Sequence, residues 1–305
     1  MLRSVILAAA QTPAVERFVA SVPFSRDVVR QFVPGTTTDD VLRAARDLTA
    51  GGLRVSIDHL GEETVLPEQA EAVRDTYLEL ISALAAANLA DGADLSLTLS
   101  ALGQRFDEDV AYDNARMICR AAREAGATVT LNMEDHTTTD STLDILAKLR
   151  ADYPTTGVAL QAYLRRTEAD CRELATAGSR VRLCKGAFKE PESVAYQSAR
   201  EIDRSFVRCL KILLAGEGYP MLATHDPRLI AIAVDRARWY DRAPEGFEFQ
   251  MLHGVRTEDQ RRLAGEGYTV RVYLPYGSQW FGYLVRRFTE RPAYLASVAR
   301  ALLRR

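Results

Sequence analysis

The sequence predicts an α/β fold in which eight parallel strands close into a TIM-like (βα)8 barrel, with N-terminal helices packed on it. Eight short β-rich runs recur along the chain, and amphipathic helical patterns run between them. An open doubly wound sheet would usually carry a GxGxxG turn after its first strand, and the stretch LRVSIDHLGE at 53–62 has none. Eight repeats without that turn favour closure into a barrel, whose chemistry gathers at the C-terminal ends of the strands.

Residues 1–50 read as helical. The opening MLRSVILAAA is too short an apolar run to cross a bilayer and continues in helical rhythm into AVERFVA, so a packed helix is expected rather than a signal peptide. The strands are then expected at 53–57 (LRVSI), 94–99 (DLSLTL), 127–133 (ATVTLNM), 157–164 (GVALQAYL), 180–186 (RVRLCKG), 219–224 (YPMLAT), 247–252 (FEFQML) and 268–274 (YTVRVYL). Between them, segments such as 67–89 (PEQAEAVRDTYLELISALAAANL) and 141–153 (STLDILAKLRADY) carry apolar residues three and four apart. No low-complexity linker interrupts the pattern. Residues 1–305 are therefore expected to form one domain, with 1–50 a helical extension and 51–305 the barrel and a C-terminal helix.

The composition, 47% hydrophobic and 26% charged, suits a large core. A formal net charge of −2 with dispersed Lys and Arg leaves no footprint for nucleic acid. The four cysteines form no CxxC pair and have no metal-ligand spacing to the four histidines, which argues against a metal site and for reduced thiols in a cytoplasmic protein.

Polar residues gather near the expected strand ends: Asp58 and Glu62, Thr98 and Ser100, Asn132, Glu134, Asp135 and His136, then Gln161 and Tyr163, Arg182 and Lys185, Thr224 and His225, Gln250 and His253, and Arg271, Tyr273 and Tyr276. Any one has a plain structural role open to it: Glu134 and Asp135 suit helix caps, and a lone histidine such as His253 suits a hydrogen-bonded core. Their recurrence at one end of nearly every strand points to a site. In YLVRRF (283–288), helical spacing puts Tyr283, Arg286 and Arg287 on one face. Near the aromatic Tyr273, Tyr276 and Trp280, that guanidinium pair suits bidentate binding of a carboxylate or phosphate. A phosphate-binding barrel enzyme would explain the arginine pair alone.

RLCKGAFKEPESVA (182–195), ATHDPRLI (223–230), FEFQMLHGVR (247–256) and RVYLPYG with YLVRRFTERPA (271–293) closely resemble the bacterial monofunctional proline dehydrogenases and the proline-oxidising domain of bifunctional proline-utilisation proteins. DHLGE (58–62), SALG (100–103), MEDHTTTDSTL (133–143) and LQAYLRRT (160–167) extend the match. The resemblance implies a distorted (βα)8 barrel that holds FAD, oxidises L-proline to Δ1-pyrroline-5-carboxylate by hydride transfer and passes the electrons to a quinone or another acceptor. It implies catalytic roles for Arg182, Tyr273, Arg286 and Arg287. The substrate would be met by Thr98, Asn132, Leu252, Tyr273, Tyr283, Arg286 and Arg287, with Glu62 as a gate that pairs with an arginine while the site is empty. The cofactor would be held by Gln161, Arg182, Cys184, Lys185, Gly186, Ala187, Thr224, His225, Gln250 and Glu290.

The chain departs from the family pattern at three substrate-side positions: Thr98 stands where the family has a lysine, Asn132 where it has an aspartate and Phe188 where it usually has a tyrosine. A cation and an anion are lost together, which is close to neutral, whereas losing one alone would strand a buried charge. Tyr294, in RPAY where the family often has RPAN, alters one expected cofactor contact. Two further readings follow: a homologue retasked to another N-substituted or cyclic amino acid, oxidised to an imine or hydrazone, and a non-catalytic ligand-binding barrel. A peripheral contact with the inner membrane face is left open because quinones reside in bilayers, although no basic amphipathic helix argues for it.

Overall fold

Eight parallel strands form a closed barrel in the order in which they occur along the chain. The computed structural model describes residues 31–61 and 63–284. The strands are β1 (Arg54–His59), β2 (Asp94–Leu97), β3 (Thr128–Leu131), β4 (Gly157–Gln161), β5 (Arg180–Cys184), β6 (Tyr219–Ala223), β7 (Glu248–Leu252) and β8 (Thr269–Tyr276). β8 closes the barrel by pairing with β1 along its length, from Arg54 opposite Arg271 to His59 opposite Tyr276. All eight runs expected from sequence become strands, and the differences lie at their ends.

Helix α1 (Thr38–Ala50) precedes β1, and α2 (Pro67–Ala86) to α8 (Thr257–Gly265) follow β1 to β7 in turn. The intervening helices are α3 (Glu108–Glu124), α4 (Thr139–Asp152), α5 (Thr167–Leu174), α6 (Ala199–Ala215) and α7 (Pro227–Trp239). Local chemistry marks their starts: Thr37 and Asp40 form a reciprocal capping box on α1, and Asp107, Ser198 and Asp226 cap α3, α6 and α7 through their side chains. Val41 and Ala45 bury one face of α1, so the described part of the N-terminal region packs on the barrel as expected.

The period-two alternation of the strands sorts two cores. Outward-facing Val55, Ile57, Leu95, Leu97, Val158, Leu160, Val272 and Leu274 pack beneath the helices in one apolar cluster. Each such fully buried side chain contributes about 1.5–3 kcal/mol by leaving water. Most inward positions are polar: Ser56, Asp94, Ser96, Thr130, Arg182, Glu248, Gln250 and Arg271 are all buried, with Ala159 and Met221 the apolar members in register with Arg182. A barrel interior usually packs branched aliphatics; this one closes with paired charges instead.

Two expectations about strand ends change here. Arg271 lies deep in the barrel, not at its mouth, where its guanidinium meets Glu248 at 2.7 and 2.9 Å. Tyr276 follows the alternation outward, is buried in the apolar cluster beneath the helices and stacks edge-on with His59. Among the described residues, no helix is long and apolar enough to cross a membrane, no cluster could hold a metal ion, and none of the four cysteines is in a disulfide.

Candidate active site

Arg182, in the middle of β5, organises the floor of the barrel mouth. Its five N–H donors meet five acceptors: Gln250 Oε1 at 2.6 Å, Ser96 Oγ at 2.8 Å, Asn132 Oδ1 at 3.1 Å, Ser56 Oγ at 2.8 Å and Asp94 Oδ2 at 3.1 Å. These acceptors come from β1, β2, β7 and the end of β3, so one side chain ties the barrel across its axis. Asp94, fully buried, supplies the countercharge and also accepts from Ser56, Thr128 and Thr130, each at 2.8 Å. Because its donors are all engaged within the protein, Arg182 presents charge to the mouth rather than a spare N–H.

Below this layer, Glu248 and Arg271 form a second buried ion pair. Burial pushes the Glu248 carboxyl up, but the charge and hydrogen bonds of Arg271, with the charge of Arg180, outweigh it and hold the group at about 2. Burial likewise works against the Arg271 cation, and Glu248 outweighs it. Both groups are thus kept ionised where neither would stand alone.

Above Arg182 lies an aromatic wall. The Tyr273 ring sits 5.9 Å from the Arg182 guanidinium, and its hydroxyl donates to Asp58. Burial, and then the Asp58 charge, raise the Tyr273 phenol well above its ordinary value, so it remains a protonated donor. Tyr283, Leu284, Leu60 and Val33 pack into a small apolar cluster with Phe32, Tyr273 and Trp280. Tyr283 and Tyr273 therefore wall one side of the mouth together.

The opposite side is polar. Asn132 donates through Nδ2 to Thr98 Oγ1 at 3.1 Å, while its carbonyl oxygen accepts from Ser96 at 2.8 Å and from Arg182. Two of the three departures, Thr98 and Asn132, thus form one neutral hydrogen-bonded pair. Phe188, the third, is 42% exposed on the segment after β5, whereas Thr98 and Asn132 are half-buried. Glu134 accepts from the Ser100 hydroxyl at 2.7 Å and its backbone N–H at 3.2 Å, and Gln161 donates to the Glu134 carbonyl at 2.6 Å. Burial raises the Glu134 carboxyl despite those bonds. Asp135 caps the short turn His136–Thr138, as its structural reading expected.

At β5 to β7, the expected cofactor side, Gly186 turns the chain at φ +106, and a Cβ there would fall 2.1 Å from the Tyr163 ring. The backbone at Gly186 thus packs directly against that ring, a position only glycine fills. Leu252 N–H donates to His225 Nε2 at 2.9 Å, which puts any ring proton of the neutral imidazole on Nδ1. Thr224 is buried, while Cys184 and Leu252 are half-buried. Ala187 is exposed. Lys185 pairs with Asp203 and, at 3.5 Å, with Asp226, so its charge is held between α6 and the start of α7. Glu62, Arg286, Arg287, Glu290 and Tyr294 lie outside the described residues.

The chemistry of these groups fits a flavin, with Arg182 contributing charge rather than a hydrogen bond. One guanidinium, two primary amides (Gln161 and Gln250), a hydroxyl (Thr224) and a neutral imidazole (His225) converge from four consecutive strands. A flavin's polar edge offers carbonyl and ring-nitrogen partners to such groups, and a nearby cation favours its reduced, anionic form. Reading strand ends alone missed Asp94, Ser56, Ser96 and Glu248. Their signal was alternate-residue polarity within the strands, as in Asp94-x-Ser96-x-Thr98 and Glu248-x-Gln250.

A family model described as proline dehydrogenase matches residues 41–300. Proline dehydrogenase 1 of Bacillus subtilis is 35% identical over 305 residues, covering all of both chains. Proline dehydrogenase of Deinococcus radiodurans is 34% identical over 309 residues, covering 100% of this chain and 98% of its own. Among solved structures, proline utilization A from Bdellovibrio bacteriovorus, inactivated by N-propargylglycine, superposes with a TM-score of 0.81 at 24% identity, over 90% of this chain and 34% of that one. The last likeness concerns the fold, and the first three span nearly the whole sequence. Barrel, polar mouth and full-length likeness agree: the chain belongs to the proline dehydrogenase family.

Proposed function

We propose that this chain is a flavin-dependent dehydrogenase that oxidises L-proline at its C–N bond to Δ1-pyrroline-5-carboxylate, with FAD as its flavin. The observation that carries this reading is the convergence of five hydrogen bonds on Arg182 beneath the aromatic wall of Tyr273 and Tyr283. A bound flavin supplies the hydride acceptor and hands its electrons to a quinone or another acceptor. The protein's task is then to position. Arg286 and Arg287 hold the substrate carboxylate, the rings of Tyr273 and Tyr283 and the side chain of Leu252 wall the substrate ring, and Arg182 stabilises negative charge on the reduced side. On this reading, residues 1–305 form one domain of a cytoplasmic enzyme of amino-acid metabolism.

Anaerobic titration of the purified protein with proline tests the proposal. A yellow protein whose visible flavin band bleaches supports it; a colourless protein that takes up no FAD points to a non-catalytic barrel. Arg286→Ala is expected to raise the KM for proline by about 30-fold or more, the worth of one charge-assisted pair, with FAD retained. Equal loss of FAD would show that the assigned division of labour is mistaken.

The Asn132 to Thr98 hydrogen bond favours a second reading, a site retasked to a bulkier N-substituted or cyclic amino acid. A neutral amide and hydroxyl replace an ionic pair there without leaving either group unpaired. Under that reading, Thr98→Lys combined with Asn132→Asp is expected to raise kcat/KM for proline by about tenfold or more, because sites that recognise polar groups discriminate strongly. No gain in steady-state assays would leave proline as the substrate.

A further inference from the structure

The segment between β5 and α6 carries Lys185, Gly186 and Ala187, and its outer turn, residues 187–189, is exposed. Glu190, the next residue, turns inward: its side chain is only 3% exposed. Backbone bonds tie both arms of the segment to the end of β4. Tyr163 N–H donates to Lys185 O at 2.9 Å, Tyr196 N–H to Tyr163 O at 2.8 Å and Arg165 N–H to Val194 O at 2.9 Å. Those bonds fix the base of the segment, and the Glu190 carboxylate fixes its crown.

That carboxylate reaches past β4 to the segment after β3. Glu190 Oε1 accepts from the His136 backbone N–H at 2.8 Å, and Oε2 meets His136 Nδ1. The Tyr163 hydroxyl donates to Oε1 over a longer 3.4 Å. Among the described residues, no lysine or arginine pairs with Glu190, so His136 and Tyr163 are what keep this buried acid from being stranded. Burial, and then the Glu190 charge, raise the Tyr163 phenol well above its ordinary value, leaving it a donor. The same Tyr163 ring supports Gly186 from below. A continuous set of contacts therefore runs from His136 through Glu190 and Tyr163 to the backbone of Gly186.

We propose that Glu190, clamped by His136 and Tyr163, is a positioning residue that sets the height of the Lys185 to Ala187 backbone at the mouth, and through it the affinity for the flavin. The inference rests on reading residues 185–187 as a cofactor-binding segment. Glu190 itself is assigned no contact with substrate or flavin. It acts by holding an otherwise irregular segment in one conformation, and so lowers the ordering cost of binding.

Two readouts test it on the full-length protein: the FAD dissociation constant, and hydrogen–deuterium exchange of residues 186–197 in flavin-free protein. Glu190→Ala leaves the His136 N–H and the Tyr163 hydroxyl without their acceptor. It is expected to raise the FAD dissociation constant about 30-fold and to speed exchange across 186–197, while the KM for proline at saturating FAD stays within about twofold. Glu190→Gln keeps an acceptor for the His136 N–H and should weaken FAD only a few-fold. Wild-type FAD affinity and unchanged exchange in folded Glu190→Ala would overturn the proposal. Where Glu190→Ala does not fold, His136→Ala, which keeps the backbone donor, carries the same comparison, and unchanged exchange there overturns it equally. Faster exchange in variants of a wild type that itself binds no flavin would defeat the flavin reading while upholding the positioning role of Glu190.

Discussion

Glu248→Ala is expected to lower the unfolding free energy by about 3–5 kcal/mol, measured as a fall in the urea midpoint, because it leaves the Arg271 guanidinium charged and uncompensated inside the barrel. Arg271 is 3% exposed and gives Glu248 two hydrogen bonds, and its remaining bonds, to the carbonyls of Val55 and Gly92, bring no countercharge. A loss below about 1 kcal/mol would mean that water or another acid reaches Arg271, contrary to this packing. The same pair predicts a pH signature. The folded Glu248 carboxyl is held at about 2, below its ordinary 4.5, so its stabilising contribution is complete above pH 4.5 and is lost as pH falls through about 2. Melting temperature should fall across that window in the wild type, and less steeply in Glu248→Gln.

Arg182→Lys is expected to reduce the rate of proline-driven flavin reduction by about 100-fold or more, followed anaerobically by stopped-flow absorbance. An ammonium keeps a positive charge near Asp94, so the fold should survive. It cannot reproduce a planar fork that reaches four strands, and Gln250, Asn132 and the serines would lose their common donor. Arg182→Ala removes the charge as well, strands Asp94 and is expected to cost about 3–5 kcal/mol of stability in addition. Reduction by Arg182→Lys at more than a tenth of the wild-type rate would show that Arg182 serves the barrel rather than the reaction.

The positions of all eight strands could be read from sequence because β-rich runs and helical periodicity are local properties. Thr98 and Asn132 could be placed together for a related reason: equivalent ends of adjacent parallel strands lie side by side, and the hydrogen bond between them follows. Arg271 and Tyr276 were harder. Both lie in the last strand, but inward or outward facing and depth in the barrel depend on register with β1 and β7, which no local pattern reveals. Glu190 could not be read at all, since its partner stands 54 residues away in another loop.

By itself, then, the sequence determined the barrel, its repeat and the family motifs along its strands, because periodicity and residue type act over a few neighbouring positions. Only the tertiary structure decided that Arg182 spends every donor inside the protein, that Glu248 and Arg271 neutralise each other below it, and that Glu190 clamps the segment beside the mouth. Those outcomes depend on which buried charges meet when eight strands close, and a buried charge persists only where a partner from a distant strand or loop arrives to pair it.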